Sequence, residues 1–257
     1  MVGRASPSQA YVQDLLYSRN CVEALTAFHD RLHERMVASK QPLGPSDFDG
    51  QSEREACSRV ERMLSDLIKF VSLSNNMCVR GYRSIDLQAY CGPSPLCQSV
   101  HRVCTSLARW MDRAMLLRRD PMTREGLPRP DQQSLLCELL LLERLLDIVN
   151  LLIPPLTRLR ESNGAQGVER MLTRLAKLCQ RLMRLVLRRN ADTCKYAANK
   201  KDRNGQSAFV VPLGKQMGYG ILAAETLREI YVDNEALLDE VHFTPAMAPL
   251  HRHMAAR

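Results

Sequence analysis

Several groups of residues in this sequence have types and spacings that could do chemistry. In "HDRLH", His29 and His33 stand four apart with Asp30 between them, so a helix would set both imidazoles on one face, as a zinc-protease helix does. Asp reaches less far than the Glu needed there as base, and no third ligand is evident. Surface histidines are the expectation. Cys91, Cys97, His101 and Cys104 could compose a Cys3His zinc site, but their spacing fits no common zinc knuckle, and apolar helix cysteines are expected instead. Gly218-Tyr219-Gly220-Ile221-Leu222-Ala223 fits G-x-G-x-x-A, with Glu240 downstream. A dinucleotide site needs a strand running straight into the glycines within a βαβ unit, and the one strand-like run, "AFVVPL", is interrupted by Pro212. No paired carboxylates or Ser/His/Asp set can be singled out. The sequence therefore gives no catalytic residues, metal site or cofactor, and no positive case for an enzyme.

Charge carries a stronger pattern. Arg170, Arg174, Lys177, Arg181, Arg184 and Arg188 recur at helical spacing, which at about 100° per residue places them within an arc of about 80°. Leu175, Leu178, Leu182, Leu185 and Val186 centre on the opposite side, and Glu169 is the only acid in the segment. Such a stripe is more often an ordinary solvated helix face than a surface for an anionic partner; what speaks for the second is the scarcity of acids, since helix faces usually mix signs to gain i, i+4 pairs. The formal net charge of +8 agrees with an anionic partner without selecting one. Nucleic acid is the weaker choice, because stacking aromatics are not interleaved with the stripe.

The elements that must position these groups read as helices. With 257 residues, 45% hydrophobic, the chain can bury a sizeable core, and its apolar residues repeat with a period near 3.6. Nine cysteines without a Cys-x-x-Cys, behind the N-terminal "MVGRASPSQA", suggest a reducing, cytoplasmic setting. The run "LLCELLLLERLLDIVNLLIPPL" is no membrane span, since Glu138, Glu143, Arg144 and Asp147 would each cost roughly 3 kcal/mol at a bilayer centre. Helices are expected over 9–38, over 52–71 behind the capping box Ser52-x-x-Glu55, over 96–118, and over 132–153 where Pro154-Pro155 should stop the chain. Further helices are expected over 168–189 and after Gly218-Tyr219-Gly220 up to Asp233-Asn234, with "NADTCKYAANKKDRNGQSAFVVPLG" irregular between them. The expected fold is all-α, an armadillo-like solenoid or helical bundle of about seven or more helices.

The segment "KQMGYGILAAETLREIYVDN" resembles one found in the helical RIH domain shared by inositol 1,4,5-trisphosphate receptors and ryanodine receptors. "SDLIKFVSLSNN", "QQSLLCELLLLERLLDIVNLLIPP" and "RLAKLCQRLMRLVLRR" resemble other pieces of that domain, in the same order. The resemblance covers residues 51–245, leaving 1–50 as an N-terminal helical extension and 246–257 as a flexible tail. It implies a cytosolic module of an intracellular calcium-release channel, on the cytosolic face of an endoplasmic-reticulum-like membrane. Its partners would be other domains or subunits of that channel.

In the receptors that the segment resembles, this domain packs beside a β-trefoil domain, and together they clamp inositol trisphosphate between basic residues. The resemblance places Arg129, Ser134 and Cys137 where the family has Arg, Lys and Arg, and Asn199-Lys200-Lys201 where it has Tyr-Arg-Lys. Arg129, Lys200, Lys201 and the neighbouring Arg203 are therefore the candidate phosphate ligands. With cations missing at two places, binding no tighter than about millimolar is expected. The alternative is an armadillo-like adaptor whose basic stripe meets an acidic protein or a membrane surface.

Overall fold

The helical periodicity becomes eight α-helices among the residues that the computed structural model describes, 7–73, 127–162, 166–217 and 223–232. They are α1 (Pro7–Ser39), α2 (Gln51–Val71), α3 (Pro130–Glu138), α4 (Leu141–Ser162), α5 (Gln166–Leu187), α6 (Ala191–Asn199), α7 (Val210–Met217) and α8 (Ala223–Val232). A 3-10 turn, Pro45–Phe48, joins α1 to α2. The chain divides into two compact units, Met1–Val71 with Pro128–Arg257, and Ser72–Leu127. The second is described only at its ends, where the two-residue strands β1 (Ser72–Leu73) and β2 (Leu127–Pro128) pair. The fold is all-α.

The first unit is built around α5. This helix packs on α2, α3, α4, α6 and α8, so it meets elements far from it in sequence. In a one-dimensional solenoid each unit touches its neighbours in order; here one helix is wrapped by five. The apolar composition of α5 explains its place: Leu172, Leu175, Leu178, Cys179, Leu182 and Val186 are all at most 1% exposed. The helix α1 lies against α2, α3 and α4, and Arg35 on α1 pairs with Glu53 near the start of α2 while the Tyr17 ring packs at a tilt against Phe70 near its end. The two helices are therefore antiparallel.

Five sequence expectations are corrected. Pro154 and Pro155 do not stop the helix but lie inside α4. A proline in a helix interior costs about 3 kcal/mol, and burial of Leu152, Leu156 and Leu159 around the pair, at roughly 1.5–3 kcal/mol each, outweighs it. The expected helix 132–153 is instead interrupted earlier, between α3 and α4, where Leu140 adopts φ +60. The strand-like "AFVVPL" runs into helix α7, with Pro212 in the first turn, where a helix has no use for its N–H. And the "irregular" stretch after α5 contains α6, whose N-cap Asn190 accepts from the Thr193 amide at 3.3 Å. At α2 the Ser52 cap is also displaced, since the helix begins at Gln51 and the Gly50 carbonyl already accepts from Arg54 N–H. The expected helix 96–118 and the glycines 218 and 220 lie outside the described residues.

Candidate functional site

Lys200, a candidate phosphate ligand, sits at the end of α6 and is already engaged. Its ammonium donates to Glu143 Oε1 on α4 at 2.7 Å and to the Tyr196 hydroxyl at 2.6 Å, and it stands 4.9 Å from the centroid of the Tyr196 ring. Tyr196 O–H in turn donates to Glu143 Oε1. These two hydrogen bonds, Glu143 first, hold the Lys200 proton more tightly than in a free lysine. Burial, then the Glu143 contact, likewise keeps Tyr196 protonated above the usual phenol range. Cys137, in a place where the resembled family carries a cation, is buried nearby, with its thiol pushed up to about 12 by burial.

Arg129 is also committed within the fold. Its guanidinium donates to the Phe70 carbonyl at 3.3 Å, lies 5.7 Å from the centroid of the Phe70 ring, and approaches Asp14 on α1 to 3.9 Å. It fastens the start of α3 to α1 and the end of α2. Ser134 takes a hydrogen bond from Asn190 at 3.4 Å. Lys201 and Arg203, by contrast, are exposed on a small loop fixed by the Lys201–Ser207 bridge, with Asp202 accepting from the amides of Asn204 at 2.8 Å and Gln206 at 2.9 Å. Of the four candidate ligands, two face solvent and two are held by carboxylates, a carbonyl and aromatic rings.

The stripe on α5 is likewise divided. Arg170 and Arg174 are exposed and Lys177 and Arg188 half-buried, but Arg181 is only 7% exposed. Arg174 pairs with Glu61 on α2, and Arg184 pairs with Glu229 on α8 at 3.0 Å, both partners being about four-fifths buried. The six cations do not form one open face: a helix surrounded on most sides lends part of its polar arc to its neighbours. Glu61 and Glu229 lie on other helices, so the sequence of α5, whose one acid is Glu169, does not reveal them.

Two polar clusters that the sequence reading did not single out hold the same helices. Gln180 on α5 donates to Gln216 on α7, Gln216 donates to Asn150 on α4 at 2.8 Å, and Thr226 on α8 donates to Gln180 Oε1 at 2.9 Å. Gln180, Gln216 and Thr226 are at most 1% exposed, so four helices meet on one satisfied network. At the end of α5, Gln133 donates to the carbonyls of Leu185 at 2.6 Å and Arg188 at 2.9 Å, and Thr193 donates to that of Val186 at 3.0 Å. These bonds satisfy last-turn carbonyls that a helix leaves open. A lone amide within an apolar run, as Asn150 is in "DIVNLLIPP", is the signal that could have pointed to them.

His29 and His33 stack at 5.9 Å between ring centroids, and His29 Nδ1 lies 2.9 Å from Asp30 and 3.2 Å from Arg144 on α4. They link helices, and no cluster of three or more metal-ligating side chains occurs among the described residues. Cys91, Cys97, His101 and Cys104 lie outside those residues. No helix among the described residues is long and apolar enough to cross a membrane.

A helical core is packed around one largely buried helix, and amide networks tie the helices together. The family model of the RIH domain matches residues 108–255, more than half of the chain. The chain belongs to the RIH domain family, that of the inositol trisphosphate and ryanodine receptors. No curated protein and no solved structure matches it. The match contains "KQMGYGILAAETLREIYVDN", including the buried Gln216, whereas "SDLIKFVSLSNN" lies before it.

Proposed function

We propose that the chain is a non-enzymatic cytosolic module of a calcium-release-channel assembly, acting through packing against other domains or subunits and not as a ligand clamp. The observation that carries this is the state of its basic residues: Lys200 is held by Glu143 and Tyr196, and Arg129 by Asp14 and the Phe70 carbonyl. A phosphate would have to displace these partners, and each lost charge-assisted contact is worth roughly 1.5–3 kcal/mol. Inositol trisphosphate binding by this chain is then no tighter than about millimolar and fades with salt. Calorimetric titration at physiological salt tests the ligand half: a micromolar, saturable isotherm lost in Lys200→Ala/Lys201→Ala overturns it. The channel half is tested by inositol-trisphosphate-evoked calcium release from permeabilised cells. Wild-type chain should alter that release, and a folded chain that leaves it unchanged while failing to associate with channel subunits rejects the reading.

A stand-alone adaptor using the basic face keeps only Arg170, Lys177 and Arg188 as cations outside the inter-helix pairs, with Arg181 withdrawn into the core. Charge reversal at Arg170, Lys177 and Arg188 discriminates. It would abolish binding to an acidic surface if the adaptor reading held, and leave channel association intact if it did not.

A further inference from the structure

The antiparallel helices α1 and α2 leave a groove of about 320 Å³ between them, open to solvent along one side. From α1 it is lined by Ala24, Ala27, Phe28 and Arg31, and from α2 by Ala56, Arg59, Val60 and Met63. Both sets have the spacing i, i+3, i+4, i+7, which confines each to an arc of about 100°. The groove is therefore two matched helix faces, two turns long. Phe28, Ala56 and Val60 form a floor at most 6% exposed, while Ala24 and Ala27 are exposed on the lip and too small to fill it.

Its charge is one-sided. Arg31 lies over the Phe28 ring at 5.7 Å from the centroid, and neither Arg31 nor Arg59 makes an ion pair among the described residues. Of the acids near them on α2, Glu61 pairs with Arg174, Glu55 accepts from Gln51 Nε2, and Glu53 pairs with Arg35 while also feeling the Arg31 charge. The register of α1 against α2, set by the Arg35–Glu53 and Tyr17–Phe70 pairs, brings Arg59 opposite Phe28, near the middle of the groove, with Arg31 one turn further along.

We infer that this groove docks an amphipathic helix of a partner protein, its small and aliphatic residues laid on Phe28, Ala56 and Val60 and its acidic side chains set against Arg31 and Arg59. Alanines at the lip let a third helix backbone approach closely, and an apolar helix face needs i, i+3, i+4 and i+7 anchors, which is the pattern the groove presents. Two guanidiniums without an ion pair, one on each wall, favour acids over bases. The α1 and α2 helices precede the residues of the RIH match, so this surface is independent of the channel reading.

The test is a fluorescence-anisotropy titration of the full chain with a designed amphipathic helix of about five turns, Leu and Ala on one face and Glu along its edges, beside a copy with Lys for Glu. The acidic peptide should bind saturably and the basic copy at least about tenfold more weakly. Arg31→Glu/Arg59→Glu should lose about tenfold or more in affinity for the acidic peptide, and Ala27→Trp, which fills an exposed lip without touching charge, should do the same with an unchanged melting temperature. Equal binding of the two peptides, wild-type affinity in both variants, or no binding at millimolar peptide overturns the proposal. A parallel arm uses phosphatidylcholine/phosphatidylserine vesicles. Vesicle binding that the same variants abolish, without peptide binding, would reassign the groove to a membrane surface and reject a protein helix.

Discussion

A lysine is available to a phosphate only when its present partners are weaker, and at Lys200 they are a carboxylate, a phenol and an aromatic face. Both Lys200 and Tyr196 bind their protons more tightly in the folded chain, Lys200 chiefly through Glu143 and Tyr196 chiefly through burial. Raised values mean that the stabilisation is complete below the unfolded values, about pH 10, and drains away as pH climbs through the folded ones. Glu143→Gln should therefore be less stable at pH 8 yet lose less on going to about pH 11 than wild type, read from urea midpoints at both; parallel losses would show that the cluster does not form. Gln216 supplies a second expectation. Gln216→Leu keeps the volume but strands the buried Gln180 amide, a cost of about 1–3 kcal/mol in denaturant unfolding, whereas Asn150→Ala removes the acceptor of the Gln216 amide at an exposed position that water can fill and should cost less. The types of these residues were plain in the sequence; their partners, dozens of positions away, were not. Arg184 and Glu229 illustrate the limit, since charge patterning along one helix cannot show an acid arriving from another.

At the scale of elements, periodicity carried most of the fold. The apolar arcs of α2 and α5 were legible because each buried residue returns after three or four positions. What misled was punctuation. Prolines read as stops stand within α4 and in the first turn of α7, while the actual break at Leu139-Leu140 has neither glycine nor proline to announce it. Local preference is worth a few kcal/mol at most, and a helix with both flanks buried can override it. In α4 this has a measurable consequence. Pro154 is half-buried, so Pro154→Ala leaves little cavity and returns an N–H to the helix ladder. It should raise stability by about 1–2 kcal/mol, the restored helix geometry exceeding the entropy advantage that proline confers on folding. A lower denaturation midpoint would mean that packing around α4 is fitted to the proline ring.

For the whole molecule, the sequence match and the physical core have different boundaries. The RIH match begins at residue 108, yet α5, inside it, packs extensively on α2, and the Arg174–Glu61 pair crosses the same boundary. On the other side α1 lies on α3 and α4, and Gln132 donates to Asp14 at 2.8 Å. A chain cut to residues 108–255 would thus expose the side of α5 that α2 covers, together with the surfaces of α3 and α4 under α1. Uncovering even three or four leucine-sized side chains forfeits about 5–10 kcal/mol, comparable with the entire stability of a domain of this size. The 108–255 chain should keep helical circular dichroism but lose a cooperative melting transition and bind a hydrophobic dye, while the 257-residue chain melts in a sharp step. Adding residues 7–73 in trans should restore the transition if the α1–α2 hairpin completes the core. A sharp melt by the 108–255 chain alone would show instead that the family segment is self-sufficient and that α1 and α2 only decorate it.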